Sequence, residues 1–203
     1  MKKIPSLFVR DFEGDPSFVT RRVTPDCEWA VEGQGYAMVK WDGTACMLRD
    51  DVMFKRYDAK PGRTPPAGFE PCQAEPDPHT GHHPGWAPVT AADKWHLQAF
   101  SDLGNRVNGT YELIGPKVQG NPYGIDRHIL IPHWMIYATG IQHPVTFDSI
   151  RRYLQQTRIE GIVWHHTDGR MAKIKARDFA LEWPPADKDQ LPFTWGLAPK
   201  AVA

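Results

Sequence analysis

The sequence predicts an α+β fold in which antiparallel sheets dominate and a few helices lie outside them. Three observations point there. Short runs rich in β-formers recur along the chain, broken by turn signals such as Asp42-Gly43 and Arg49-Asp50-Asp51. Two later runs are joined by Thr167-Asp168-Gly169, a good hairpin turn. The clearest helical period is confined to one segment, Thr146 to Gln156.

Tyr36 to Trp41, Ala45 to Leu48 and Val52 to Tyr57 read as strands, as do Val107 to Ile114 and Ile129 to Ile131. Ile159 to His166 and Met171 to Ala176 are the two arms of the hairpin. In the helix, Thr146 is the N-cap and Asp148 suits the first turn, while Phe147, Ile150, Tyr153 and Leu154 share one face. The stretch from about Lys60 to Pro88 is rich in Pro, Gly and His and reads as a long surface excursion. Its Trp86 either stacks on a base or, as is commoner for Trp, pins the loop to the core. Cys72, His79, His82 and His83 match no familiar zinc spacing and read as solvated loop residues.

A chain of 203 residues fits a single domain, with a core from about 36 to 184 and a short Pro-rich tail over 185–203. That tail leaves no room for a second globular domain. Hydrophobic residues at 41% and eight Trp suffice for a core, so global disorder is excluded. The formal net charge is +0, so any contact with nucleic acid must come from a local patch. Cys27, Cys46 and Cys72 are odd in number and widely spaced, which suits reduced thiols in a cytoplasmic protein. No apolar run approaches the roughly 18 residues of a membrane span.

The chemistry lies in four elements in a fixed order: Lys40-Trp41-Asp42-Gly43, Tyr111-Glu112-Leu113-Ile114-Gly115, Glu160-Gly161-Ile162-Val163 and Lys173-Ile174-Lys175. A lysine becomes a nucleophile only where neighbours depress its pKa, and Lys173 and Lys175 supply such neighbours if the last strand runs beside the first. Strand alternation puts both of those ammonium groups on one face, an arrangement that suits an anion such as a triphosphate. Asp42 and Gly43 form a turn in which glycine lets the backbone come close to a ligand. Glu112 and Glu160 sit within apolar strand sequence, where a carboxylate faces water or finds a partner such as a ribose hydroxyl or Mg²⁺. Singly, each residue fits an ordinary solvated strand or turn. As an ordered set they are the parts of an enzyme that transfers a nucleoside monophosphate to its own lysine.

These motifs resemble the covalent nucleotidyltransferases, which comprise polynucleotide ligases and mRNA capping enzymes. Longer strings are similar to the RNA ligase 1 family: His83-Pro84-Gly85-Trp86-Ala87-Pro88-Val89, Gly120-Asn121-Pro122-Tyr123-Gly124, Leu130-Ile131-Pro132-His133, Ile159 to His165, and Trp183-Pro184. The likeness runs from Lys40 to Pro184, and residues 1 to about 35 match only weakly. It implies an adenylyltransferase fold with ATP-grasp-like sheets around an ATP cleft and no appended OB domain. Lys40 would be the adenylated nucleophile, Glu112 would hold the ribose hydroxyls, and Arg56 would contact ribose or RNA phosphate. Glu160 would hold the metal or the reacting lysine, Lys173 the α-phosphate, and Lys175 a neighbouring position. Asp42 and Gly43 would border the nucleotide, with Trp134 or Tyr137 stacked on adenine. The implied activity is ATP-dependent joining of RNA 5′-phosphate and 3′-hydroxyl ends, with Mg²⁺ or Mn²⁺ as cofactor. The competing readings are a DNA ligase, a GTP-using capping enzyme, and a non-catalytic module that binds RNA ends.

Overall fold

The computed structural model describes residues 2–78, 80–134, 139–141 and 143–186. In chain order the strands and helices are β1 (Phe8–Arg10), β2 (Val19–Val23), α1 (Glu28–Val31), β3 (Tyr36–Lys40), β4 (Thr44–Arg49), β5 (Val52–Ala59), β6 (Glu70–Pro71), β7 (His83–Pro88), α2 (Lys94–Ser101), β8 (Gly109–Ile114), β9 (Ile129–Pro132), α3 (Phe147–Thr157), β10 (Gly161–His165) and β11 (Met171–Lys175). A 3-10 turn over Ala176–Phe179 follows β11 directly. Among the described residues every pairing between these strands is antiparallel, both in hairpins such as β4-β5 and β10-β11 and in distant pairs such as β3-β10 and β4-β8.

The chain divides into two compact units. One comprises Met1–Lys3 and Asp42–Ile136, the other Ile4–Trp41 and Tyr137–Ala203. The first holds a six-stranded sheet in the order β6-β7-β5-β4-β8-β9. Cys46, Leu48, Met53, Tyr111 and Leu113 fill its core together with Ala99 of α2. Gly43 opens this sheet because nothing larger fits there. A Cβ at that position would lie 2.3 Å from the Leu113 carbonyl oxygen and 2.8 Å from Cγ of Glu112. The close approach that Gly43 permits is therefore to β8.

The last part of the 60–88 excursion is strand, not loop: β7 pairs with both β5 and β6. Pro84 still serves the ladder, because its carbonyl accepts the Cys72 N–H at 2.8 Å and a proline lacks only the donor. Trp86 sits in this strand and is only 5% exposed, so it pins the segment to the core and offers no free face to a base.

The second unit holds a three-stranded sheet in the order β11-β10-β3 and the two-stranded β1-β2 ribbon. Val39, Ile162, Trp164, Ala172 and Ile174 are buried and share one face of the larger sheet by register. The N-terminal segment extends this sheet. Leu7 N–H donates to the Lys173 carbonyl at 2.7 Å, and Lys173 N–H donates to the Pro5 carbonyl at 3.0 Å. The Phe147 ring of α3 lies 4.8 Å from that of Phe179 and 5.3 Å from that of Phe8, which ties helix, turn and ribbon together.

The expected helix is present with a complete capping box. The Thr146 hydroxyl accepts the Ser149 N–H at 3.1 Å, and the Ser149 hydroxyl accepts the Thr146 N–H at 2.8 Å. Ile150 and Leu154 are fully buried beneath it. Thr146→Ala removes half of that box and should lower stability by about 1 kcal/mol. A fall in the urea midpoint at unchanged m-value would register the loss.

Candidate active site

Lys40 ends β3, and Lys173 and Lys175 lie on β11. The condition that the last strand run beside that of Lys40 is not met, because β10 runs between them. In register, Gly161 of β10 faces Lys40 on one side and Lys175 on the other. Directly paired residues share a sheet face, so Lys40 and Lys175 flank a position that has no side chain, and Lys173 follows two residues along on the same face. Gly161 also has to be glycine, since a Cβ there would lie 2.1 Å from the Ile174 carbonyl oxygen.

Glu160 immediately precedes β10 and is only 5% exposed. Its Oε2 accepts from Lys40 Nζ at 2.6 Å, and its Oε1 lies 3.5 Å from Lys175 Nζ. Its own carbonyl accepts the Ala176 N–H at 2.8 Å, which fixes the backbone at the end of β11. One buried carboxylate thus serves two ammonium groups. Lys173 bears the cost of this crowding. Burial pushes its ammonium down to about 8, the charges of Lys175 and Lys40 add to the fall, and Glu160 and Asp178 offset part of it.

Two residues that the sequence argument did not single out support these lysines. Asp178 is 4% exposed, accepts the Lys175 N–H through Oδ2 at 2.8 Å and pairs through Oδ1 with Arg10 at 2.8 Å. Arg10 also donates to the Ser17 carbonyl at 2.9 Å. The signal for Asp178 in the sequence is slight, an acid three residues after Lys175 that takes its N–H, which is half of a capping box because a lysine side chain cannot accept. Arg10 had none, because its partner lies far along the chain.

Glu112, Arg56, Asp42, Gly43 and Trp134 belong to the other unit. Glu112 of β8 accepts from His133 Nε2 at 3.0 Å, and His133 Nδ1 meets the Thr110 hydroxyl at 3.0 Å. Tyr111, Cys46 and Lys55 are in register on one face of the six-stranded sheet, so Glu112 and Arg56, each one residue on, share the opposite face. Arg56 donates to Asp58 at 3.0 Å, and its guanidinium lies 6.0 Å from the Trp86 ring centre. Asp42 N–H donates to the Tyr123 hydroxyl at 2.5 Å. Trp134 is exposed and meets Tyr111 edge-on at 4.8 Å, on the side away from Glu112. Tyr137 lies outside the described residues. Among the described residues no group of three or more His, Cys, Asp or Glu is placed to hold a metal, and no helix is long and apolar enough to cross a membrane.

A family model described as RNA ligase 1 matches residues 98–192. That stretch contains Glu112, Glu160, Lys173 and Lys175. The chain resembles the RNA ligase 1 family. It is 34% identical to RNA ligase 1 of Danio rerio over 149 residues, which cover 55% of this chain and 45% of that protein. Against RNA ligase 1 of Pongo abelii it is 28% identical over 158 residues, 61% of this chain and 49% of the relative. The likeness to the Rattus norvegicus RNA ligase 1 is 24% over 269 aligned positions, spanning 92% of this chain and 83% of the rat protein. The matches to the fish and orangutan proteins therefore span about half of each relative's length.

The depressed Lys173 pKa gives a test with a definite sign. Its folded value of about 8 lies below the unfolded value near 10.4, so between them the unfolded chain holds a proton that the folded chain has released. This group's contribution to stability therefore rises with pH across that window and is level below it. Lys173→Met should remove that rise, so urea midpoints of the two proteins should diverge between about pH 8 and about pH 10.

Proposed function

We propose that this chain is an ATP-dependent RNA ligase that works through lysyl-AMP and RNA-adenylate intermediates. The observation that carries this reading is the Lys40–Glu160 contact at 2.6 Å on a sheet face shared with Lys173 and Lys175. Three ammonium groups around one carboxylate leave an excess of positive charge. A polyphosphate relieves that excess. A protein that merely bound RNA ends would have no use for a half-buried lysine held by a buried acid. The name of the relatives, RNA ligase 1, supports the same class of reaction.

In the first step Lys40 Nζ forms a bond to the α-phosphorus of ATP as the bond to the bridging oxygen of the β-phosphate breaks, and pyrophosphate leaves. The ammonium must shed protons to react, and Glu160, already hydrogen-bonded to it, is placed to accept one. Lys173 takes the α-phosphate oxygens, and Lys175 adds charge beside it. Glu112, oriented by His133, takes the ribose hydroxyls, and Arg56 on the same sheet face takes ribose or RNA phosphate. The AMP then passes to the 5′-phosphate of one RNA end, which frees Lys40. Attack by the 3′-hydroxyl of the other end forms the phosphodiester and releases AMP.

Mg²⁺ or Mn²⁺ bound with the triphosphate would neutralise phosphate charge. Glu160 is the carboxylate that would hold it, because Mg²⁺ commonly takes one or two protein carboxylates and completes its shell with phosphate and water.

Incubation with Mg²⁺ and ATP labelled at the α-phosphate, followed by a denaturing gel and intact mass, should reveal an AMP adduct that Lys40→Ala lacks. The same variant should still seal RNA supplied with a 5′-adenylate. Absence of an adduct with ATP, GTP or NAD would leave RNA-end binding as the better reading. Glu160→Ala and Lys173→Ala should each slow adduct formation by about 100-fold or more, as loss of a charged contact to the reacting groups requires. Single-turnover formation of the labelled adduct measures both.

A further inference from the structure

An open groove of about 610 Å³ begins at Lys175. Arg10, Ser17 and Phe18 form its wall on the β1-β2 side, and Lys175, Arg177 and Leu181 form the wall on the other. Lys175 thus belongs to two places at once, since its ammonium also reaches Glu160, which holds Lys40. We propose that this groove seats a single strand of RNA running up to the lysine site; the proposal rests on the ligase reading and deepens it.

Three features select this occupant. The volume lies in the range of pockets for whole organic ligands and exceeds what a lone phosphate fills. The lining mixes cations with apolar surface, the combination that tracks a sugar-phosphate backbone while stacking bases, whereas a pyrophosphate would have no use for the apolar part. Phe18 is 38% exposed at the rim, an aromatic face left in water. The guanidinium groups are also fixed in place. Arg10 is held by Asp178 and the Ser17 carbonyl, and Arg177 donates through Nε and Nη2 to the Trp183 carbonyl at 3.1 and 2.9 Å. A guanidinium carries five N–H donors, so a backbone-oriented arginine can still meet a phosphate. Of the two acids in the groove, Asp178 is paired with Arg10 and only Glu182 is exposed, which leaves the balance positive.

The test uses the full chain and a fluorescently labelled single-stranded RNA, with affinity read by anisotropy at fixed low salt. Phe18→Ala should weaken binding at least fivefold, the lower end for one lost base–aromatic stack. Ser17→Glu should weaken it and Ser17→Lys strengthen it, because Ser17 is exposed on the groove wall. All three variants should form lysyl-AMP at the wild-type rate. Unchanged affinity in Phe18→Ala, or the same direction of change in both Ser17 variants, would overturn the proposal. So would a slower lysyl-AMP step in Ser17→Glu at wild-type RNA affinity, which would assign the groove to the phosphates of ATP. A wild-type protein that forms no lysyl-AMP would defeat the ligase reading itself, a result that the anisotropy data cannot mimic.

Discussion

The contact between Lys40 and Glu160 is the constraint on which the second unit turns. A carboxylate with 5% exposure is unfavourable unless its charge is met, and two lysines from different strands meet it. Those lysines can converge only because the strand between them carries glycine at the level where they face each other. The backbone of the same Glu160 closes the end of β11, and the 3-10 turn that follows returns Asp178 to the Lys175 N–H. Charge, register and a bare backbone position are thus one arrangement.

The supports of the site come from residues without chemistry of their own. Lys173 is held along its backbone by Pro5 and Leu7, so the N-terminal segment sets the position of its strand. Phe8, Phe147 and Phe179 pack the 3-10 turn against the ribbon and α3, which holds Asp178 close to its partners. In the other unit Glu112 depends in the same way on His133, itself fixed by the neighbouring Thr110. In both units the acid proposed to meet ligand is anchored before any ligand arrives, the preorganisation that electrostatic catalysis requires.

Much of this was legible in the sequence, for identifiable reasons. The seven strands around the motifs were found because β-branched and aromatic residues alternate between strong turn signals. Helix α3 was found because Thr146 caps it and Ile150 and Leu154 recur at helical spacing. Strand β7 escaped because Pro84, Gly85 and Pro88 look like loop residues. In a ladder, a proline forfeits only its donor and keeps its acceptor. β1 spans only three residues and β2 carries Thr20-Arg21-Arg22 between its two valines, so neither was recognised, which also hid Arg10. Among the site residues, Lys40, Glu160, Lys173 and Lys175 were chosen from motif order, and the fold brings those four together. Strand order was beyond reach: nothing in Lys173-Ile174-Lys175 says that another strand separates it from Lys40. His133 and Asp178 were missed for a related reason, since each acts by orienting a neighbour.

The division into two units also fixes an order of assembly. Apart from Met1–Lys3, the first unit is one continuous stretch of chain, and all its strand pairings, including that of β4 with β8, close within that stretch. The second unit is split around it, and Lys40 meets Glu160 across 120 residues. A ribosome therefore delivers every strand of the six-stranded sheet before β10 exists, and the long loop closure comes last. Until then Lys40 has been synthesised without its acid, so the nascent chain has a lysine but not yet the apparatus that would make it reactive.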